Sequence, residues 1–212
     1  MQGMFPTVLF FLILGFGIIA LYWMILKNAS EKIGRQYAVF ADSHDLELNQ
    51  PEPAMAGFIR PEPSLYGRMK GRELSISVPG KGLQNTRQIE TVLKLEIKNQ
   101  RFAAQLTGAG LLGRFRQRDS RGMDRWKSGD AIFDAAVDVR TNHPGWMNRI
   151  LDQERRSALA ALLKKGKGSI YIGSGVLAYA ELGLIANEAV RTRFEEVLQH
   201  FHQIADSVEA LS

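Results

Sequence analysis

Gly108-Ala109-Gly110-Leu111-Leu112-Gly113 fits the GxGxxG spacing that lets a backbone approach a dinucleotide pyrophosphate. That chemistry needs the glycines to open a helix whose N-terminus holds the phosphates. The residues that follow, Arg114 to Gly122, show no amphipathic period, so the glycines read as a loop. The segment beyond them has chemistry of another kind. Arg114, Arg116, Arg118, Arg121, Arg125 and Lys127 outnumber Asp119 and Asp124, and Phe115, Met123 and Trp126 interleave. Arginines beside aromatic rings suit anionic lipid headgroups, with Trp126 at the interface, or an acidic protein partner. The same pattern suits phosphates and stacked bases of a nucleic acid, and a solvated loop is the plain alternative. Arg114, Arg116, Arg118, Arg121, Arg125, Trp126 and Lys127 are therefore the candidate anionic-surface residues.

Other reactive types are scattered. There are four histidines and no cysteine, which excludes disulfides and thiolate metal sites. His200 and His202 stand two apart on a predicted helix and point to different sides, so they cannot share a metal. His44 and His143 fall at predicted helix ends, and no HExxH occurs. Ser174 lies in Gly-Ser-Gly, which reads as a hairpin turn rather than a nucleophile elbow, since that elbow joins a strand to a helix. Asp134 and Asp138 read as carboxylates on the wet face of a strand, with Gly129-Asp130 turning the chain into it. No catalytic set, cofactor or metal site emerges, and the reading leans away from an enzyme.

What would position any such surface is the N-terminus. Phe5 to Leu26, FPTVLFFLILGFGIIALYWMIL, carries no charge. As a helix it covers ~33 Å, about one hydrocarbon core. Pro6 suits a first turn, Tyr22 and Trp23 suit a headgroup level, and Lys27 can snorkel. A cleaved signal peptide would want a basic start and a small-residue cleavage site, and neither is present. Residues 1 to 7 hold no Lys or Arg, whereas Lys27, Lys32 and Arg35 follow the span. The positive-inside rule then predicts a single-pass protein of the cell membrane with its C-terminal domain in the cytoplasm. The whole formal net charge of +5 lies beyond the span.

Expected organisation is a transmembrane anchor over 1–27, a juxtamembrane helix and Pro-rich connector over 28–63, and a soluble domain over 64–212. Ser30 is predicted to cap the juxtamembrane helix through Ile33, Tyr37, Phe40 and Ala41. Pro51-Glu52-Pro53 and Pro61-Glu62-Pro63 then forbid regular helix. A short strand is predicted at Leu65–Met69, period-2 alternation predicts strands at Glu73–Val78, Ile89–Ile97 and Phe133–Val139, and Phe102–Leu106 reads as a weaker strand or part of a loop. A helix opens at Asn142-His143-Pro144 and stops near Gly166, and Ser169–Ile172 pairs with Val176–Ile185 about Gly173-Ser174-Gly175. Asn187 caps a last helix whose apolar residues, from Val190 to Leu211, step 4-3-4-3-4-3. Leu198 and Ala205 widen that stripe toward a sheet-packed face, and a seam for self-association is the alternative. Strands grouped apart from helices predict an α+β fold, an antiparallel sheet with helices packed on one face.

Phe133-Asp134-x-x-Val137-x-Val139, the helix around Arg155 to Leu163, the hairpin and the earlier Tyr66-Gly67-Arg68-x-x-Gly71-Arg72 together resemble membrane-anchored bacterial proteins of unknown function. The resemblance spans about residues 60 to 185 and implies the architecture, with no activity attached to it. The function expected is a non-enzymatic, membrane-anchored domain that binds a protein partner or the membrane surface. The alternatives are a membrane-bound enzyme whose site assembles from distant residues, and a membrane-tethered nucleic-acid-binding module.

Overall fold

The structure, a computed structural model, describes residues 4–79, 89–109, 122–165 and 168–211. Its first element, α1, is one helix from Met4 to His44. At ~1.5 Å per residue it is about 61 Å long, nearly twice a hydrocarbon core. The most apolar stretch is bare, with none of it buried. A stripe at least half covered begins at Trp23 and continues through Leu26, Ser30, Ile33, Tyr37, Phe40 and His44, at steps of three and four residues. Tyr37 and Phe40 are fully buried. The expected break at Ser30 is absent. Lys27-Asn28-Ala29 supplies no Gly or Pro to stop a helix, and Ser30 lies on the covered stripe instead of capping anything.

Beyond α1 come β1 (Glu47–Asn49), a one-turn 3-10 segment (Met55–Gly57), β2 (Ser64–Met69), β3 (Arg72–Ser77) and β4 (Glu90–Glu96). Then follow β5 (Ala104–Gly108), β6 (Asp124–Trp126), α2 (Ala131–Ala136), β7 (Val137–Thr141), α3 (Pro144–Ile150) and α4 (Gln153–Lys165). The hairpin β8 (Gly168–Gly173) and β9 (Val176–Leu182) leads into α5 (Glu188–Glu209). The strands form one antiparallel sheet in the order β1-β2-β3-β4-β9-β8-β5-β7-β6. The fold is α+β, as the grouping of strands predicts.

Register makes the core legible. Leu48, Leu65, Ile76, Leu93, Tyr179, Ile170, Leu106, Val139 and Trp126 are successive cross-strand partners, one from each strand. All but Leu48 are buried. The next row on the opposite face begins Glu47, Tyr66, Ser75, Lys94 and ends Arg140, Arg125. Period 2 puts these two rows on opposite sides, so one face is core and the other carries polar side chains. Phe194, Val197, Leu198, Phe201, Ile204, Ala205 and Val208 of α5 are buried in the same core. That burial corrects the reading of this stripe as a seam for self-association, because its apolar side chains are already covered within the chain.

Three local expectations change. Residues 131–136 form a helix, not the first half of a strand. Asp130 Oδ1 accepts from the N–H groups of Ile132 (2.9 Å) and Phe133 (3.2 Å), and this cap outweighs the alternation that only begins to hold at Val137. The helix predicted from Pro144 onward breaks at Leu151-Asp152, where the Arg155 N–H donates to Asp152 Oδ1 at 2.9 Å and a new helix begins. The fifth strand starts two residues later than expected, at Ala104. The β8–β9 hairpin holds as read: Ser174 and Gly175 both have positive φ, +52° and +76°, as a type I′ turn demands.

Candidate functional site

Of the candidate anionic-surface residues, Arg114, Arg116, Arg118 and Arg121 lie outside the described residues, as do the last four residues of the GxGxxG run. Gly108 closes β5 and faces the Leu163 carbonyl, 3.2 Å from where a Cβ would sit. Arg125, Trp126 and Lys127 are described. Arg125 is mostly exposed, and its Nε lies 2.7 Å from Asp138 Oδ1, with Arg140 at 3.8 Å from the other oxygen. Arg125 and Arg140 are register partners on the polar face of the sheet edge. Trp126 belongs to the core. Its ring meets Phe133 edge-on at 6.4 Å and only 7% of the residue is exposed, so it cannot serve as a surface ring. The reason is register: Trp126 faces the same side as Val139. Lys127 Nζ donates to the Asp134 carbonyl at 3.2 Å.

Asp134 is not a free carboxylate on a strand. Burial alone would raise its pKa, but it accepts from the Ser128 N–H, the Ser128 hydroxyl and the Gly129 N–H, and Lys127 lies near. These donors hold it below the ordinary carboxylate range. Its role is to fasten the turn before α2. The histidines also resolve individually. His143 stacks on Trp146 at 4.6 Å, and the Asn142 side chain beside it clamps the chain entering β5 by accepting from Ala103 N–H and donating to the Arg101 carbonyl.

Three groupings were not visible in the sequence. Glu181, 6% exposed, accepts from the Tyr179 hydroxyl at 2.7 Å and from both Arg193 Nε at 2.8 Å and a second Arg193 nitrogen. Burial, then the Glu181 carboxylate, pushes the Tyr179 phenol well above its ordinary value of 10.0, so it stays a donor. Residues 177, 179 and 181 share one strand face, which is the signal that would have flagged an acid on the core side.

The second is a cleft of about 300 Å³ between α1 and α5, lined by His44, Met69, Lys70, His202, Gln203 and Asp206. His202 is 4% exposed and neither ring nitrogen has a hydrogen-bond partner in the structure. Burial, then Lys70 and Arg72, keep its pKa below the ordinary histidine value. His202 falls between Leu198 and Ala205 at helical steps of four and three, the spacing that marks it as inward-facing.

The third is a shallow groove of about 720 Å³ on the polar sheet face, bordered by Tyr66, Arg68, Glu73, Lys94, Glu96 and Gln100. It mixes both charges, and Arg68 pairs with Glu73 at 3.5 Å. Among the described residues no group of three His, Cys, Asp or Glu could hold a metal ion. Glu181, Tyr179 and Arg193 are fastened to one another, His202 stands unbonded beside the cleft, and the groove residues line a surface.

No protein-family model matches the chain, and no curated protein matches it. A solved structure does: the crystal structure of the mycobacterial trehalose monomycolate transport factor A, TtfA, with a TM-score of 0.55 and 14% sequence identity. The match covers 82% of this chain and 93% of that one. The likeness is one of fold.

Proposed function

We propose that this chain is a single-pass membrane protein whose α+β domain faces the cytoplasm and works by binding, to a protein partner or to the membrane surface, rather than by catalysis. The observation that carries this reading is α1, bare over its apolar stretch and fully buried at Tyr37 and Phe40. One uninterrupted helix thereby joins anchor and core, with no slack linker between 1–27 and the domain. Lys27, Lys32 and Arg35 on the domain side, against none in residues 1–7, support the cytoplasmic orientation. The polar sheet face, with its groove of both charges, is the surface we assign to a protein partner. That the structural neighbour is a transport factor supports a binding role for this chain. Residues 114–127 are the segment we assign to anionic headgroups, with Arg125 and Lys127 contributing from its end and Trp126 packed beneath.

The test is vesicle co-sedimentation of a chain beginning at residue 28. Binding to vesicles rich in anionic lipid is expected to weaken as salt rises and to fall several-fold when Arg114, Arg116 and Arg118 become Ala. Binding that ignores salt and these substitutions would remove the headgroup reading and leave the protein partner alone.

A further inference from the structure

Between its two Pro-Glu-Pro triplets the chain makes a small closed loop. Ala54 N–H donates to the Ile59 carbonyl at 2.8 Å, and Ile59 N–H donates back to the Ala54 carbonyl at 3.1 Å. Met55, Ala56 and Gly57 at its tip all have positive φ, +49°, +55° and +89°. Two of these are L-residues in the left-handed region, a conformation that a mere spacer has no cause to hold. The loop is fastened to α1 by one contact. Trp23 Nε1 donates to the Ala56 carbonyl at 2.9 Å, while Arg60 Nε donates to the Gly57 carbonyl at 2.9 Å from the other side. Gly57 lies so close that an added Cβ would sit 3.0 Å from Trp23 Nε1.

Trp23 gives the loop its depth. It belongs to the uncharged run, one helical turn (~6 Å) before the first charged residue. Lys27 Nζ lies 5.3 Å from its ring centroid, so the indole has a cation on the water side and bare Leu, Ile and Phe on the other. That is the level at which headgroups meet acyl chains, where amphipathic rings settle. A loop bonded to Trp23 reaches the same level. It presents Met55, Phe58 and Ile59 outward, 73%, 41% and 51% exposed. Three adjacent apolar side chains in contact with water are unfavourable, whereas at this depth the lipid covers them.

We propose that the Met55–Ile59 loop is a second lipid-contacting element, inserted shallowly into the bilayer interface beside α1. A single helix leaves a domain free to rotate about its axis and to tilt. Two points of insertion fix which faces of the domain look along the membrane and which look away. The inference rests on α1 crossing the bilayer, and the test separates the two.

The chain has no cysteine, so single-cysteine variants of the full-length protein carry one label each. Leu12→Cys, Met55→Cys, Phe58→Cys and Glu73→Cys would each bear a polarity-sensitive fluorophore in lipid nanodiscs. The lipids would carry a nitroxide either near the headgroup or near the chain end. The Glu73 side chain is 68% exposed and serves as the water reference, because the β2–β3 turn beside it meets His44 at the end of α1 away from the apolar run. Labels at positions 55 and 58 are expected to emit to the blue of the one at 73. They are also expected to be quenched at least twofold more by the shallow nitroxide than by the deep one. The label at 12 is expected to be quenched more by the deep nitroxide. Labels at 55 and 58 that behave like the one at 73, with 12 still quenched, would overturn the loop and leave the anchor standing. A blue shift at 58 without nitroxide quenching would overturn it too, since the cover would then be protein. No quenching at position 12 would overturn both readings.

Discussion

Glu181 is the acid on which two elements meet. Its carboxylate binds Tyr179 on its own strand and the Arg193 guanidinium on α5, and Gly168 opposite leaves room for the tyrosine ring, with a would-be Cβ only 2.4 Å from that ring. Removing one partner of a buried pair leaves the other charge uncompensated. Glu181→Ala is expected to lower stability by about 3 kcal/mol, read as a shift of the urea midpoint at unchanged slope.

His202 sets a pH limit. It is held neutral by burial, and by Lys70 from the β2–β3 turn and Arg72 from β3, with His44 of α1 acting in the same direction and Asp206 of α5 opposing them. Its folded pKa lies below its unfolded one, so below pH ~6.5 the unfolded chain binds a proton that the folded chain refuses. Stability contributed by the neutral ring is present above that pH and lost as pH falls. His202→Leu is expected to flatten the fall in melting temperature between pH 7 and pH 5. An unchanged pH profile would place the acid sensitivity elsewhere. Strand alternation and helical steps place Glu181 and His202 on inward faces, but only the fold brings Arg193 to the one and Lys70, Arg72 and His44 to the other.

At the scale of elements, the chain announces most of its pieces and conceals their neighbours. The strands at β2, β3, β4, β8 and β9 follow their alternation, and Asn187 caps α5 as its position predicts, its side chain accepting from Val190 N–H at 3.0 Å. Alternation cannot show that the β8–β9 hairpin enters between β4 and β5, separating two strands that are consecutive in the chain. Nor does it show where a polar cap overrides it. The Phe133-Ala135-Val137-Val139 pattern reads as one strand, yet Asp130 turns its first half into helix by accepting two N–H groups. In the pattern quoted for the resemblance, Phe133 and Asp134 are thus helical, whereas Val137 and Val139 remain in β7. Asp130→Ala is expected to cost about 1 kcal/mol, seen in thermal unfolding. Asp130→Asn, which keeps the acceptor, is expected to recover most of it. Equal losses in both variants would mean that α2 does not depend on this cap.

Across the whole molecule, α1 is the element with two surroundings: its apolar run is bare, and its later turns pack on the domain. Its apolar run reads as a membrane span from composition alone, and its domain stripe is equally present in the spacing of Ile33, Tyr37, Phe40 and Ala41. The break expected between them arises from treating the two as separate tasks. Because one helix carries both stretches, the apolar run cannot be trimmed at an arbitrary place. A chain beginning at residue 28 keeps Tyr37, Phe40 and Ala41 in the core, along with the hydrogen bond from Arg191 Nε to Gln36. It is expected to be soluble without detergent and to melt cooperatively. A chain beginning at residue 46 would lose two fully buried aromatic rings, each a deletion of about 3–5 kcal/mol. Together these come to about 6–10 kcal/mol, comparable to the whole of the roughly 5–15 kcal/mol that a domain ordinarily has in reserve. That shorter chain is expected to lose its cooperative melt by circular dichroism and to aggregate. If it melted as the longer one does, α1 would be only a tether, and the domain would owe its fold to the sheet and α5 alone.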